Sequence, residues 1–325
     1  MKVAIVGSGG MGRVHASAYL GMPGVELVGV CDIDYPLAVE LGKSANSPVF
    51  ASFEEMMEAV HPDVVSLTLP SHLHKEYAQK AAKLGAHVIC EKPISLTLED
   101  AQAVIDTCEE HGVKLFIGHV VRFFPDYVQM KETIDSGRLG TIGVAHLKRV
   151  GSHPGDVRPW FKDEDKSGGV IVDLMVHDID FARWALGEVK SVYCMRRLEN
   201  EYDYALITLL FENGAVANLE GYWGYPGSFR TAAEFAGSKG VIRGNSEDTK
   251  SLQIRKVKAD TEGARFAEVP RSPSLRDPYS IELEHFITCI RDNREPIVTA
   301  RDAYKALEIA NAARESAKTG KAVLF

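Results

Sequence analysis

The chain has 325 residues, a net charge of −8 and 25% charged residues, which excludes a broad basic footprint for nucleic acid. Hydrophobic residues make up 45%, ordinary for a globular protein, and no apolar run approaches the length of a membrane span. Five scattered cysteines without a C-x-x-C pair point to reduced thiols and a cytoplasmic setting. The length allows two domains with separate cores.

Val3 to Val6 is a short, β-branched apolar run and reads as a buried strand rather than a leader sequence, since Gly7 breaks it. Gly7, Gly9 and Gly12 follow in G-x-G-x-x-G spacing, and Val14 to Leu20 suits a helix. This order is what a dinucleotide diphosphate needs. The first glycine makes the turn, the second admits backbone to the phosphates, and the third lets helix and strand pack. The helix N-terminus offers free N–H groups to the anion. Glycine-rich turns after strands are common, so the spacing alone does not decide. Val25 to Cys31 is a second strand pattern, and Asp32 ends it twenty residues past Gly12. That is where an acidic residue binds the adenosine ribose hydroxyls. Asp34 and Pro36 also permit a plain turn aspartate there.

Strand and helix patterns continue to alternate. Ser52 and Glu55 form a capping box before a short helix. Val64 to Leu69 is a strand stopped by Pro70, His72 to Leu84 a helix capped by Gly85, and His87 to Cys90 a strand. Thr97 and Asp100 start a helix that runs to Gly112, and Lys114 to Gly118 is a strand. The alternation predicts a doubly wound parallel sheet. The pattern changes near Val120. A helix at Asp126 to Ser136 leads to a strand at Ile142 to Val150, a polar loop from Gly151 to Gly169, and a helix at Asp173 to Leu186. Successive strands follow from Lys190. Asn213-Gly214 predicts a type I′ hairpin between Tyr204–Phe211 and Ala215–Trp223. Further strands fall near Thr231–Phe235, Val241–Arg243 and Leu252–Val257, and two helices, Tyr279–Arg291 and Ala300–Thr319, close the chain. The second part is α+β with a large, mostly antiparallel open sheet. The expected division is 1–120 and 121–325, with the last helix packing back on the first part.

Two groups of residues can carry chemistry. Glu91-Lys92-Pro93 lies at the carboxyl end of a parallel strand, the edge where ligands bind. Pro93 restricts Lys92 to extended backbone. Lys92 can hydrogen-bond a substrate hydroxyl or simply cap the strand at the surface. Asp173 and His177 are four apart on one apolar helix and share a face. Histidine suits the acceptance of a hydroxyl proton. The plain alternative is an N-cap aspartate and a satisfied core histidine. His72 and His74 lack a ligand set, so no metal is expected.

Four stretches occur together: GSGGMGRVHASAY, TLPSHLHKEYAQKAAKLGAHVICEKP, VVRFFPDY and SGGVIVDLMVHDIDFARWALG. On these, nearly end to end, the chain resembles the glucose–fructose oxidoreductase / inositol dehydrogenase / rhizopine catabolism (Gfo/Idh/MocA) family. The resemblance implies a Rossmann domain, a C-terminal domain with an open sheet, and NAD(P)-dependent oxidation of a sugar, inositol or related polyol; Asp32, which repels a 2′-phosphate with no positive charge at Ile33 or Asp34 to offset it, predicts NAD rather than NADP. It implies that Lys92, Asp173 and His177 act together. It places the cofactor at Gly7, Gly9, Gly10, Met11, Gly12, Asp32, Ile33, Leu69, Pro70, His74, Glu91 and Lys92. It places the substrate at Lys92, Arg122, Asp173 and His177; the loop from His153 to Trp160, with His153, Asp156 and Trp160, is expected to be the specificity segment and matches no one branch of the family. A homodimer or homotetramer, with no membrane or nucleic-acid partner, is expected. Ser71 stands where the family often has asparagine, and Val170 replaces the last glycine of its G-G-G run. Other relatives of this kind are NAD-dependent glycosidases, sugar epimerases or non-catalytic NAD-binding sensors. Retention of Lys92, Asp173 and His177 speaks against the sensor.

Overall fold

The structure is a computed structural model that describes residues 1–199, 202–247, 255–257, 265–267 and 276–325. Six parallel strands form the first sheet, in the order β3-β2-β1-β4-β5-β6. They are β1 (Lys2–Val6), β2 (Glu26–Cys31), β3 (Val49–Phe50), β4 (Val64–Leu67), β5 (His87–Glu91) and β6 (Leu115–Gly118). Val3, Ala4 and Ile5 are all fully buried, as a parallel strand covered on both faces requires. The covering helices are α1 (Gly10–Leu20), α2 (Tyr35–Ala45), α3 (Phe53–Val60), α4 (His74–Lys83) and α5 (Leu98–Glu110). Ser52 Oγ accepts from Glu55 N at 3.2 Å, and Thr97 Oγ1 from Asp100 N at 3.1 Å, so both side chains cap their helices; among the described residues the Glu55 carboxylate makes no return bond to Ser52 N, so the expected box is only half formed. The strand order reverses between β1 and β4, the switch point where such sheets bind ligands.

After α6 (Pro125–Asp135) the second sheet begins. Its strands are β7 (Ile142–Gly151), β8 (Val189–Glu199), β9 (Tyr202–Phe211), β10 (Val216–Trp223), β11 (Arg230–Gly237), β12 (Gly240–Asn245) and a late strand, Val323–Leu324. Their order is β12-β11-β7-β10-β9-β8 and then the late strand, with β7 and β10 parallel and the other pairs antiparallel. Ala205, Ile207, Leu209 and Phe211 of β9 point inward in strict alternation. Two helices lie on that inner face, α8 (Val176–Leu186) and α10 (Ala300–Thr319); between β7 and α8 sits the short α7 (Glu164–Ser167). The remaining helix, α9 (Pro278–Arg291), returns to the parallel sheet. Its Phe286 stacks on Phe116 of β6 at 4.9 Å, and Arg291 donates to the Pro23 and Gly24 carbonyls. Burial of Phe286 contributes about 1.5–3 kcal/mol. From α10, Asn311 donates to the Leu96 carbonyl at 3.2 Å. The end of the chain thereby ties both sheets together and fixes the cleft between them.

Several expected elements differ in detail. The Asn213-Gly214 turn is not type I′, because only Gly214 of the two has positive φ. Gly214 N donates to Phe211 O at 3.0 Å and Phe211 N to Ala215 O at 2.9 Å, which makes a three-residue loop ending in a left-handed glycine. Asn213 is held elsewhere: its side-chain amide donates to Leu186 O at the end of α8. The stretch Gly151–Gly169 is not simply loop; it holds two 3₁₀ turns and α7. The helix expected from Asp173 is broken. A π turn spans Val170–Leu174, closed by Met175 N on Val170 O, and α8 starts at Val176. Gly168 and Gly169, both at positive φ, lead into that turn. The strand from Val64 ends at Leu67, and Ser71–Leu73 is a 3₁₀ turn ahead of α4. Of the strand expected at Leu252–Val257, residues 252–254 lie outside the described residues; Arg255–Val257 is a strand, paired with Arg265–Ala267.

Candidate active site

A cavity of about 800 Å³ lies where the carboxyl ends of β1, β2, β4 and β5 face π turn and α8. Its first half is the glycine turn. Gly7 has φ +102°, and a Cβ added there would meet the Thr68 carbonyl oxygen at 2.6 Å. A Cβ on Gly12 would meet Gly7 O at 2.0 Å. Both positions exclude any side chain, so α1 packs directly on the turn. Helix α1 starts at Gly10 with no side-chain cap and no acid in its first turn, which leaves its N-terminal N–H groups free for an anion. The Ser8 hydroxyl, buried in the same turn, has no partner among the described residues. Asp32 lines the cavity at the end of β2, its carboxylate held by Ser8 N at 2.6 Å and Asp34 N at 2.9 Å. Ile33, Leu69, Pro70 and Met11 complete this half. The turn, the bare helix end and the fixed carboxylate fit a dinucleotide: diphosphate at the glycines, ribose at Asp32.

The second half carries the titratable groups. Lys92 follows β5, and its Nζ donates to Asp173 Oδ1 at 3.0 Å and to Asp173 O at 2.7 Å. Behind it, the Glu91 carboxylate accepts from His15 Nε2 at 3.1 Å. With Nε2 donating, His15 Nδ1 accepts from Ser66 Oγ at 2.7 Å, and Ser66 Oγ accepts from Tyr19 OH at 3.1 Å. Burial pushes the Glu91 carboxyl up, but the His15 hydrogen bond and nearby positive charge outweigh it and hold the pKa below the usual range.

His177 lines the same cavity, one residue into α8. Burial, and then the charges of Lys92 and Arg149, hold its pKa well below the ordinary imidazole value. It is therefore neutral at neutral pH. Its Nδ1 is buried without a partner among the described residues. Arg149, also in the cavity wall, is paired with Asp178 of α8 at 2.9 and 3.0 Å.

Other expected residues lie away from the wall. Gly10 and Gly12 do not line the cavity; Gly12 serves the packing of α1. His74 is fully buried, its ring nitrogens facing the Pro93 carbonyl at 2.7 Å and the Leu69 carbonyl at 2.9 Å. It clasps the two loops that do line the cavity. Arg122 points away from the cavity: its guanidinium binds Asp180 at 2.8 and 2.6 Å and donates to Ile297 O at 2.9 Å. On the 3₁₀ turn Val120–Phe123 the wall is made by Val120 and Val121 instead. In the segment His153 to Trp160, His153 packs on Trp223 with its Nδ1 accepting from Gly155 N, and Asp156 is exposed beside Lys162. Trp160 does reach the wall, stacked at 3.8 Å on Phe161, which joins it there.

Arg149, Arg158 and Tyr279 also line the cavity, and sequence reasoning passed over all three. Arg149 carries a usable signal. With Ala145 and Leu147 it shares the inward parity of β7, where an arginine needs a buried acid. Arg158 and Tyr279 arrive from loop and distant helix, where no periodic signal exists.

Comparison with known proteins identifies the family. Residues 1–119 match the oxidoreductase family GFO_IDH_MocA, NAD-binding Rossmann fold, and residues 131–325 match its C-terminal alpha/beta domain. The scyllo-inositol 2-dehydrogenase (NAD(+)) of Bacillus subtilis (strain 168) is 31% identical over an alignment of 345 residues, covering 99% of this chain and 96% of that protein. The myo-inositol 2-dehydrogenase of Thermotoga maritima is 27% identical, covering 99% and 98%. The structure of GenD2 from gentamicin A biosynthesis, in complex with NAD, superposes with a TM-score of 0.91 at 25% identity, covering 100% of this chain and 96% of that one. The chain belongs to the Gfo/Idh/MocA oxidoreductase family and is an NAD-dependent oxidoreductase.

Proposed function

We propose that the protein oxidises a secondary alcohol of an inositol, sugar or related polyol, with NAD as the acceptor. The carrying observation is that Lys92, Asp173 and His177 share one cavity with the glycine turn and Asp32. Bound NAD supplies the acceptor for the hydride that leaves the carbinol carbon. His177, neutral at working pH, takes the hydroxyl proton. The Lys92 ammonium donates to the same oxygen and stabilises the negative charge that develops there. Asp173 fixes Lys92 Nζ through its carboxylate and its carbonyl. Trp160, Phe161 and Tyr279 keep water from the cavity, and Arg149 presents a cation to ring hydroxyls.

The setting is the cytoplasm, where the five free, buried thiols stay reduced. Among the described residues no helix is long and apolar enough to cross a membrane. The outer face of the second sheet pairs two copies. It displays Val144, Tyr193 and Met195, all exposed among the described residues.

The test is a panel of inositols, polyols and sugars, read by absorbance of the reduced nicotinamide and by product analysis. A ketone formed in step with reduced cofactor supports the reading. Product that accumulates without reduced cofactor marks a transient oxidation instead.

A further inference from the structure

The segment that joins β7 to the π turn reaches across to the parallel sheet. It forms the 3₁₀ turns Pro154–Asp156 and Pro159–Lys162 and then α7. At the second sheet it is anchored by Glu164, which accepts from Arg196 at 2.7 Å and from Arg314 at 3.1 Å. Ser167 Oγ donates to Phe161 O at 3.0 Å and braces the turn. On the opposite side, Trp160 meets His72 with ring centroids 6.4 Å apart. Arg158 extends to the glycine turn itself. Its Nη2 lies 2.8 Å from where a Cβ on Gly10 would sit, and 3.4 Å from that on Gly9.

Charge singles out this arginine. Among the described residues the cavity wall has three cationic side chains, Lys92, Arg149 and Arg158. Lys92 is paired with Asp173 and Arg149 with Asp178. Arg13, close to the turn in sequence, is held by Glu40 through two bonds of 2.9 Å. Among the described residues, Arg158 has no carboxylate within ion-pair reach, and its guanidinium is free to take a ligand.

We propose that Arg158 clamps the diphosphate of NAD against the Gly9-Gly10 turn. The proposal rests on the dinucleotide reading of this cavity. A diphosphate brings two negative charges, and the start of α1 offsets only about half of one. A guanidinium supplies a full charge and a planar fork that matches phosphate oxygens. Because Arg158 belongs to the joining segment, its hold on the cofactor also secures Trp160 and Phe161 where they already line the cavity.

Arg158 is exposed, so its replacement leaves the fold intact. Calorimetric titration of wild type, Arg158→Ala and Arg158→Lys with NAD, and with adenosine as a phosphate-free probe, tests the clamp. Arg158→Ala raises the Kd for NAD about tenfold or more, which is ~1.4 kcal/mol or more. Arg158→Lys recovers part of the loss, and adenosine binds all three alike. Stopped-flow release of NADH is faster from Arg158→Ala. An unchanged Kd for NAD in Arg158→Ala overturns the proposal, as does an equal loss of adenosine binding. If wild type itself binds no NAD, the cofactor reading falls and the clamp falls with it, a failure visible before any variant is measured.

Discussion

Lys92 and Asp173 stand 81 residues apart, yet Lys92 Nζ is 3.0 Å from Asp173 Oδ1 and 2.7 Å from Asp173 O. The bonds join the end of β5 to the π turn ahead of α8, and so join the two sheets at the cavity. Both side chains are mostly shielded from water, which makes the pair costly to break from either side. Lys92→Ala is expected to lower kcat/KM by about 10²–10⁴-fold. The Kd for NAD, set by the glycine turn, Asp32 and Arg158, should stay near wild type. Steady-state kinetics beside cofactor titration measure both; a loss confined to NAD binding contradicts the role given to Lys92.

His177 sets the pH dependence. Its imidazole is held well below the ordinary value, and the neutral form is the one that accepts a proton. Activity therefore persists as pH falls through the usual imidazole range, and drops only below it, as His177 becomes protonated. A profile of kcat/KM against pH in wild type should show that late acid limb. His177→Ala should lose about 10²–10⁴-fold in kcat and lose the limb as well.

Asp32 governs the choice of cofactor. Its carboxylate is fixed by Ser8 N and Asp34 N at the position of the adenosine ribose, where it repels a 2′-phosphate. The neighbouring Arg13 is neutralised by Glu40. NAD should be preferred over NADP by about tenfold or more in kcat/KM, ~1.4 kcal/mol. Asp32→Ala should narrow that ratio, chiefly by weakening NAD. Equal use of both cofactors by wild type contradicts this account.

The outer face of the second sheet should bury itself against a second copy. Tyr193 and Met195 lie exposed on β8, and Val144 on β7. Light scattering at micromolar concentration should give a dimer or tetramer. Met195→Asp should shift it toward monomer, with the far-UV dichroism unchanged. A monomeric wild type contradicts the expectation.

What the sequence discloses depends on how locally each feature is determined. Gly7 and Gly12 are legible because backbone approach alone dictates them, with a side chain meeting oxygen at 2.6 and 2.0 Å. Lys92 is legible from its place at a strand end. The spacing of Asp173 and His177 brings both to the cavity, although the π turn between Val170 and Leu174 was not visible in it. Nothing in a four-residue spacing distinguishes a π turn from a helical one. Arg122 misleads because its partner, Asp180, lies 58 residues away, and only the folded chain shows the guanidinium already occupied. The Asn213-Gly214 turn misleads for a similar reason, since the Asn213 amide is bound at the end of α8. Arg158 reaches Gly9 and Gly10 through a segment with no periodic pattern, and only the folded chain brings them together.

The central claim, that this cavity moves hydride from a carbinol carbon to NAD, is tested most directly by isotope transfer. An inositol or sugar that supports turnover is prepared with deuterium at its carbinol carbons and incubated with the enzyme and NAD. Mass spectrometry of the reduced cofactor should find the deuterium on the nicotinamide ring, in step with ketone formed, and should find far less with Lys92→Ala or His177→Ala in the same time. Turnover with the deuterium lost to water, or reduced cofactor that carries none, would contradict the account.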